Sequence, residues 1–413
     1  MTLWSPVWRI KVNGQTLTSV TLNNLTITSG RQDINSPTPP GYCSLQIINT
    51  DGTNYDFTIN TSVTIEVKDS NNNYVAVFGG RISDLAQVVQ SAGSNAVITS
   101  LKITAVGALS KLQRAIFNGN LAEALDGAQI TDLLDELLLN SWNEVPPAET
   151  WATYDATEIW TDAQNIGLGE IDAGEYTMSS RQITDAVIAS VVNEIANSAL
   201  GYLYEDANGL IGYADASHRQ DYLIANGYTD LDARQAIASG IGIIQRQGDI
   251  ANKIVMDYGN NNSYTAQDTI SQATYGLFAE QFNSYLKNAA DVEDVADRLI
   301  QLRAYPRNTF QSITFALQSP EVDNADRNAL LNIFMGQPVR ITNLPSNILG
   351  GEFTGFVEGW TFNASVSGLS VTFLATPTEF SAFAQQWAQV NGAESWNSVL
   401  DTLEWQDAIG VIS

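Results

Sequence analysis

The chain has 413 residues, 19 Lys plus Arg against 45 Asp plus Glu, a formal charge of -26 and 44% hydrophobic residues. That composition is globular and long enough for two or three domains. It is too poor in cations to neutralise a phosphate backbone, which excludes sequence-independent binding to DNA or anionic lipid. With one Cys (Cys43) and one His (His218), the chain can build no intrachain disulfide, thiolate metal cluster or two-histidine zinc site. Met1 to Pro6 lacks a basic region followed by an apolar stretch, so no secretory leader is expected. The most apolar helical stretch, 183–200, is interrupted by Asp185 and Glu194 and does not suit a membrane span. The expectation is a soluble chain, made in the cytoplasm and unprocessed.

Residues 8–106 read as strands separated by turns. Trp8 to Val12 alternates and meets Asn13-Gly14, a strong signal for a type I′ hairpin. Val63, Ile65 and Val67 alternate with polar neighbours, Asp69 to Asn73 makes a polar turn, and Tyr74 to Phe78 and Leu101 to Ala105 continue the pattern. Short strands with no helix between them predict a small antiparallel barrel or sandwich.

After Gly107 the period changes. Ile130, Leu133, Leu134, Leu137 and Leu138 share one helical face. A second helix is predicted with Ser180 as cap, Ile183, Val187, Val191, Val192 and Ile195 as its stripe, and Gly201 past its end. Tyr202 to Tyr213, with Asp206 to Gly209 in the middle, reads as a hairpin, and 242–258 as a strand. Val292, Val295, Ala296 and Leu299 mark a third helix that Pro306 ends, and strands resume from 309 to about 375.

Two internal repeats stand out. Val63-Thr64-Ile65, Phe78-Gly79-Gly80-Arg81-Ile82 and Leu101-Lys102-Ile103 return in order as Val339-Arg340-Ile341, Phe353-Thr354-Gly355-Phe356-Val357 and Leu369-Ser370-Val371, at offsets of 276, 275 and 268. Alternation alone gives any two β-segments some likeness, but conserved order and spacing favour a duplicated module. Trp142, Trp151 and Trp160 are nine apart, as are Trp387, Trp396 and Trp405. Nine residues is two and a half helical turns, so one helical face does not explain the spacing. These six rings either anchor each segment to its own module or dock a neighbouring subunit.

No catalytic constellation emerges. Carboxylate pairs such as Asp132 with Asp135 or Glu293 with Asp297 suit solvated helix faces. The nucleophile-elbow, phosphate-loop and zinc-helix motifs are absent, Asp230-Leu231-Asp232 does not complete a calcium loop, and His218 at a hairpin end reads as a surface residue. No cofactor and no metal are expected.

Several segments together resemble phage tail hub proteins, the family of actinophage minor tail proteins and contractile-tail baseplate hubs. The similar segments are Ile27-Thr28-Ser29-Gly30-Arg31-Gln32-Asp33-Ile34, Pro40-Gly41-Tyr42-Cys43-Ser44-Leu45-Gln46-Ile47, Phe78 to Ile82, Ala251-Asn252-Lys253-Ile254-Val255, Tyr275-Gly276 and Ala296 to Pro306. Nine-residue tryptophan spacing is also a feature of actinophage minor tail proteins. The resemblance implies two similar β-barrels per subunit and a homotrimer whose six barrels match a sixfold tail tube. Its implied partners are the tail tube or distal tail protein, other minor tail or tip proteins, and DNA only as passing cargo, with no membrane insertion. Its implied place is the distal end of the virion tail. The chain carries no recognisable peptidase, lysozyme-like or fibre segment.

The expected fold is α+β, mainly β, with two similar small antiparallel β-barrels and helical insertions. The expected boundaries are a first barrel at 1–106, a helical insertion at 107–201, a second barrel at 202–378 with a helical insertion at about 263–306, and a Trp-rich arm at 379–413. The expected role is a structural tail hub, not an enzyme, with Trp142, Trp151, Trp160, Trp387, Trp396 and Trp405 as candidate docking residues. The alternatives are a receptor- or carbohydrate-binding tail-tip protein, and a tail-tip hydrolase working through His218.

Overall fold

The computed structural model describes residues 4–135, 167–237, 241–259, 261–366 and 368–381, apart from positions 19, 50–52, 54, 56, 94 and 95. Trp142, Trp151, Trp160, Trp387, Trp396 and Trp405 lie outside the described residues, as do Leu137 and Leu138.

Asn13 and Gly14 both take positive φ, 51° and 73°, and join Trp8–Val12 (β1) to Gln15–Thr16 (β2) as the hairpin signal requires. The next strands are Val20–Gly30 (β3), Tyr42–Asn49 (β4), Ser62–Lys68 (β5), Tyr74–Gly93 (β6) and Ala96–Val106 (β7). Among the described residues no helix interrupts them. Six further strands come from the other end of the chain: Thr229–Asp232 (β8), Gly242–Ile244 (β9), Thr309–Ala316 (β10), Pro338–Thr342 (β11), Phe353–Ser365 (β12) and Gly368–Pro377 (β13). All thirteen form one sheet in the order β9-β10-β13-β12-β3-β4-β7-β6-β5-β1-β2, with β11 on β12 and β8 on β11.

Within that sheet, β5-β6-β7-β4-β3 is matched by β11-β12-β13-β10-β9, and every one of these pairings is antiparallel. The registers match as well. Val63 opposes Gly80 and Ile65 opposes Phe78, as Val339 opposes Gly355 and Ile341 opposes Phe353. A bulge falls at Ser83 in β6 and at Glu358 in β12. Asn60 donates to Ile82 O and receives its chain back through Ile82 N to Thr61 O, as Gly336 and Gln337 do with Val357. Asn60 and Gly336 both hold positive φ there.

Glycine is required at the same place in each half. A Cβ on Gly80 would meet Val106 O at 2.5 Å and the Phe78 ring, while one on Gly355 would meet Thr376 O at 2.2 Å and the Phe353 ring. The registers also correct the third repeat. Ile103 opposes Leu85 and Phe373 opposes Trp360, so β7 and β13 align at an offset of 270 rather than 268.

Two closed barrels were expected from the sequence, but among the described residues the pairing path stays open. The reason is β12: residues 359–365 pair with β3 instead of a strand of their own half, which joins the halves into one sheet. One apolar core runs beneath both, drawing Leu25, Ile27, Leu45 and Ile65 together with Phe310, Phe315, Phe362 and Phe373.

A second core gathers most of the other buried apolar residues among those described. It takes Ile130, Leu133 and Leu134 from Asp126–Asp135 (α1), Val191, Val192 and Ile195 from Ile188–Ser198 (α2), Ile211 and Tyr213 from the 202–214 hairpin, and Val292, Val295 and Ala296 from Ala289–Arg303 (α5). The two segments expected as separate helical insertions therefore share one interior. The second also contains strands, since Asn262–Gln267 and Ala279–Ser284 flank Lys253–Tyr258 in a three-stranded sheet.

Three local readings change. Arg181–Val187 is a strand on Ile116–Leu121, so Ile183 lies on a sheet, Ser180 caps nothing, and the helix starts after Val187. The 242–258 strand divides into β9 and Lys253–Tyr258, which belong to different sheets. Asn324–Leu331 (α6) interrupts the C-terminal strand series, with Asp323 as its cap. Among the described residues the other α-helices are His218–Asn226 (α3) and Thr269–Tyr275 (α4), the latter capped by Asp268.

Candidate functional site

The two halves of the sheet meet at a seam where β12 pairs with β3. Seven pairs run from Gly359 opposite Gly30 to Ser365 opposite Asn24. Both strands are glycine at the start because the backbones nearly touch. A Cβ on Gly30, whose φ is 78°, would lie 2.2 Å from Glu358 O, and one on Gly359 would lie 2.5 Å from Arg31 O. Beyond the glycines, Ile27 and Phe362 bury against each other's half, and Thr28 and Thr361 face outward with their hydroxyls 3.4 Å apart.

Glu358, the bulged residue of β12, has no exposed surface and closes the seam. Its carboxylate accepts from Arg31 Nε at 2.7 Å, from Arg219 Nη1 and Nη2 at 2.7 and 2.8 Å, and from Thr376 Oγ1 at 2.5 Å. Arg31 N also donates to Glu358 O at 2.8 Å. Burial by itself would push this acid up, but Arg219 and Arg31 overrule it and hold the carboxyl at about 2. Tyr202 completes the cluster. Its hydroxyl accepts from Arg219 Nε at 3.2 Å, and both guanidinium groups lie over its ring, at 4.7 and 5.0 Å. The cluster thus ties β3 of the first half, β12 of the second half and α3 to one another. A second tie lies at the β5–β6 turn, where Ser70 N donates to Asn328 Oδ1 of α6 at 2.9 Å.

A third node joins the sheet to the second core. Glu205 accepts from Gly41 N at 2.6 Å and Leu109 N at 3.0 Å, and burial pushes its carboxyl up to about 7. Asn252, also without exposed surface, donates to Gly276 O and Ser271 Oγ and accepts from Phe278 N, which organises the α4 loop. Gly276 ends α4 at a φ of 95°, so both Ala251-Asn252-Lys253 and Tyr275-Gly276 have structural work in one loop.

The residues singled out for chemistry are dispersed. His218 is half-buried, not on the surface: its Nδ1 lies 2.8 Å from Asp172 Oδ2 at the start of α3. Burial opposes its charge, but Asp172 and the neighbouring carboxylates raise its pKa overall. Ser217 Oγ beside it donates to Asp215 Oδ1 at 3.0 Å. Asp132 is exposed, Glu293 and Asp297 flank the Tyr264 hydroxyl at 3.5 Å, and Asp230 and Asp232 pair with Arg340 and Arg234. Cys43 is buried in β4, and burial pushes its thiol pKa up. Among the described residues no group of three His, Cys, Asp or Glu is placed to hold a metal ion, and no helix is long and apolar enough to cross a membrane.

No protein-family model and no curated protein matches the sequence. The fold, however, is similar to solved structures. A tail protein from Neisseria meningitidis MC58 superposes with a TM-score of 0.59 at 10% identity, over 92% of this chain and 98% of that one. The 43 kDa tail protein of prophage MuSo2 from Shewanella oneidensis superposes with a TM-score of 0.56 at 10% identity, over 91% and 99%. The likeness covers nearly the whole of each chain, and what it establishes for this one is a phage tail-type fold.

Proposed function

We propose that this chain is a structural tail protein of a long-tailed phage, a hub whose three copies close a ring. In this reading the ring presents six similar β-halves to a sixfold tail tube, joins the tube to tip proteins at the distal end, and frames the DNA channel. The observation that carries the reading is the duplication: two five-strand series with one pairing order, matched registers and a bulge at the same position. A threefold assembly imitates a sixfold one only if each subunit contains the repeated unit twice. The likeness of the fold to two tail proteins supports the setting. A net charge of -26 suits a wall past which DNA travels without adsorbing. The role is mechanical and includes no catalytic step.

Labelling this chain on intact virions and imaging them tests the assignment. The hub reading expects label at the distal end of every tail and tube assembly arrested in its absence. Label on the head, or normal tails from a phage lacking the chain, overturns it.

A further inference from the structure

The duplication leaves two strand edges without the partner that their counterparts have. In the second half, residues 359–365 of β12 continue past β11 and pair with β3 of the first half. The counterpart of that stretch is β6 from Asp84 onward, because Ser83 and Glu358 are the equivalent bulges. On that edge β5 pairs only as far as Arg81. Likewise β3 has β4 on one side and β12 on the other, while its counterpart β9 pairs with β10 and ends the sheet. Among the described residues nothing pairs with the outer edge of either β6 beyond Ile82 or β9.

Exposure follows the missing contact. Ala364, at the seam, is 4% exposed, whereas its counterpart Val89 is 58% exposed, with Val88 beside it at 46%. Ile27 and Leu25 have no exposed surface, whereas their counterparts Ile243 and Ile241 are only half-buried. A long strand edge carrying exposed valines is a template for another chain, and natural proteins cover such edges.

We propose that the outer edge of β6 pairs antiparallel with the outer edge of β9 of a second copy of this chain. The seam inside the chain dictates the register. Gly359 opposite Gly30 becomes Asp84 opposite Arg246, Phe362 opposite Ile27 becomes Gln87 opposite Ile243, and Ala364 opposite Leu25 becomes Val89 opposite Ile241. Where the seam has two glycines, the interface has an acid facing a base. Each copy offers one β6 edge and one β9 edge, so the contact is head-to-tail, the type that closes into rings. This assignment rests on the ring reading and specifies which surfaces make it.

Thr28 and Thr361 mark the outward-facing pair of the seam, and their counterparts are Ile244 and Ala86. The test is oxidation of the Ala86→Cys, Ile244→Cys double variant, read as covalent oligomers on denaturing gels. Wild-type mass in solution and far-ultraviolet circular dichroism are measured alongside. The interface predicts efficient disulfide-linked dimers and trimers from the double variant and none beyond dimers from either single variant. The off-register double variant Gln90→Cys, Ile244→Cys, displaced by about 13 Å along the strand, links poorly. A folded, oligomeric protein whose in-register pair does not cross-link overturns this interface and leaves the ring reading standing. A wild-type monomer overturns both. Linked species of monomer mass only, from an edge covered by the same chain, also overturn the interface.

Discussion

Glu358 is the residue on which the join between the halves depends. Its carboxylate is fully buried between two guanidinium groups, and removing one member of such a cluster strands the others without compensation. Glu358→Gln is expected to cost about 3–5 kcal/mol in denaturant-induced unfolding, whereas Ser83→Ala at the equivalent bulge should cost far less. Several groups shape the pH profile: burial raises Asp326 from 3.8 to about 6, which adds to the decline with rising pH in the acidic range, and three more act with it. Glu205, raised from 4.5 to about 7, and His218, raised from 6.5, give stability that is full only below 4.5 and 6.5 respectively and is lost as pH rises from there through their folded values. Glu358, lowered from 4.5 to about 2, gives stability that is present above 4.5 and lost as pH falls. The melting temperature should therefore peak near pH 4.5, fall as pH rises to about 7 while Glu205 loses its contribution, and fall further above pH 6.5 as His218 loses its own. Glu205→Gln should flatten the decline between about pH 4.5 and 7 without changing the side below pH 4.5, and a slope unchanged by that substitution would refute the assignment.

At the scale of elements, the two halves should respond alike to the same insult. Gly80→Ala and Gly355→Ala each push a methyl against a backbone oxygen and a phenylalanine ring, and each is expected to cost on the order of 1–3 kcal/mol. Thermal melts of the two variants check this, and a silent substitution at either position would show that the halves do not pack equivalently. Much of this layer was legible. Asn13-Gly14, the 202–213 hairpin, the buried face of α1 and the α5 stripe are set by neighbours within a few residues, and local pattern reports them. Arg181–Val187 was not, because Ile183, Val187 and Val191 recur at a spacing of four and mimic a helix. Pairing with Ile116–Leu121 decides the matter, and that partner is remote in sequence. The seam was hidden for the same reason: Arg31 and Glu358 are 327 residues apart. The signals that point to it are Gly30 before Arg31 and Gly359 after Glu358, small residues on both sides of a close backbone approach.

For the whole molecule, the sequence repeat indicated duplication but not its consequence. It suggested two closed barrels, whereas the strand that would close the second one is lent to the first half. The same arrangement leaves β6 and β9 with open edges. The C-terminal tail beyond the sheet is a separate matter, because Phe380 is buried against the Arg303 guanidinium and Arg219 donates to Ser381 Oγ. A deletion that spares the fold must therefore start after Ser381. Removing 382–413, which contains Trp387, Trp396 and Trp405, should leave the melting temperature within a few degrees of wild type yet prevent a neighbouring tail protein from joining, as read by the composition of purified tails. Normal tails from that truncation would contradict the docking role.

The account as a whole rests on one subunit standing for two positions around an axis. Electron microscopy of the purified chain, averaged without imposed symmetry, is the most direct check. The prediction is a ring of three subunits showing six similar lobes of density around a central opening. A monomer, an open filament or a ring of six subunits would contradict it.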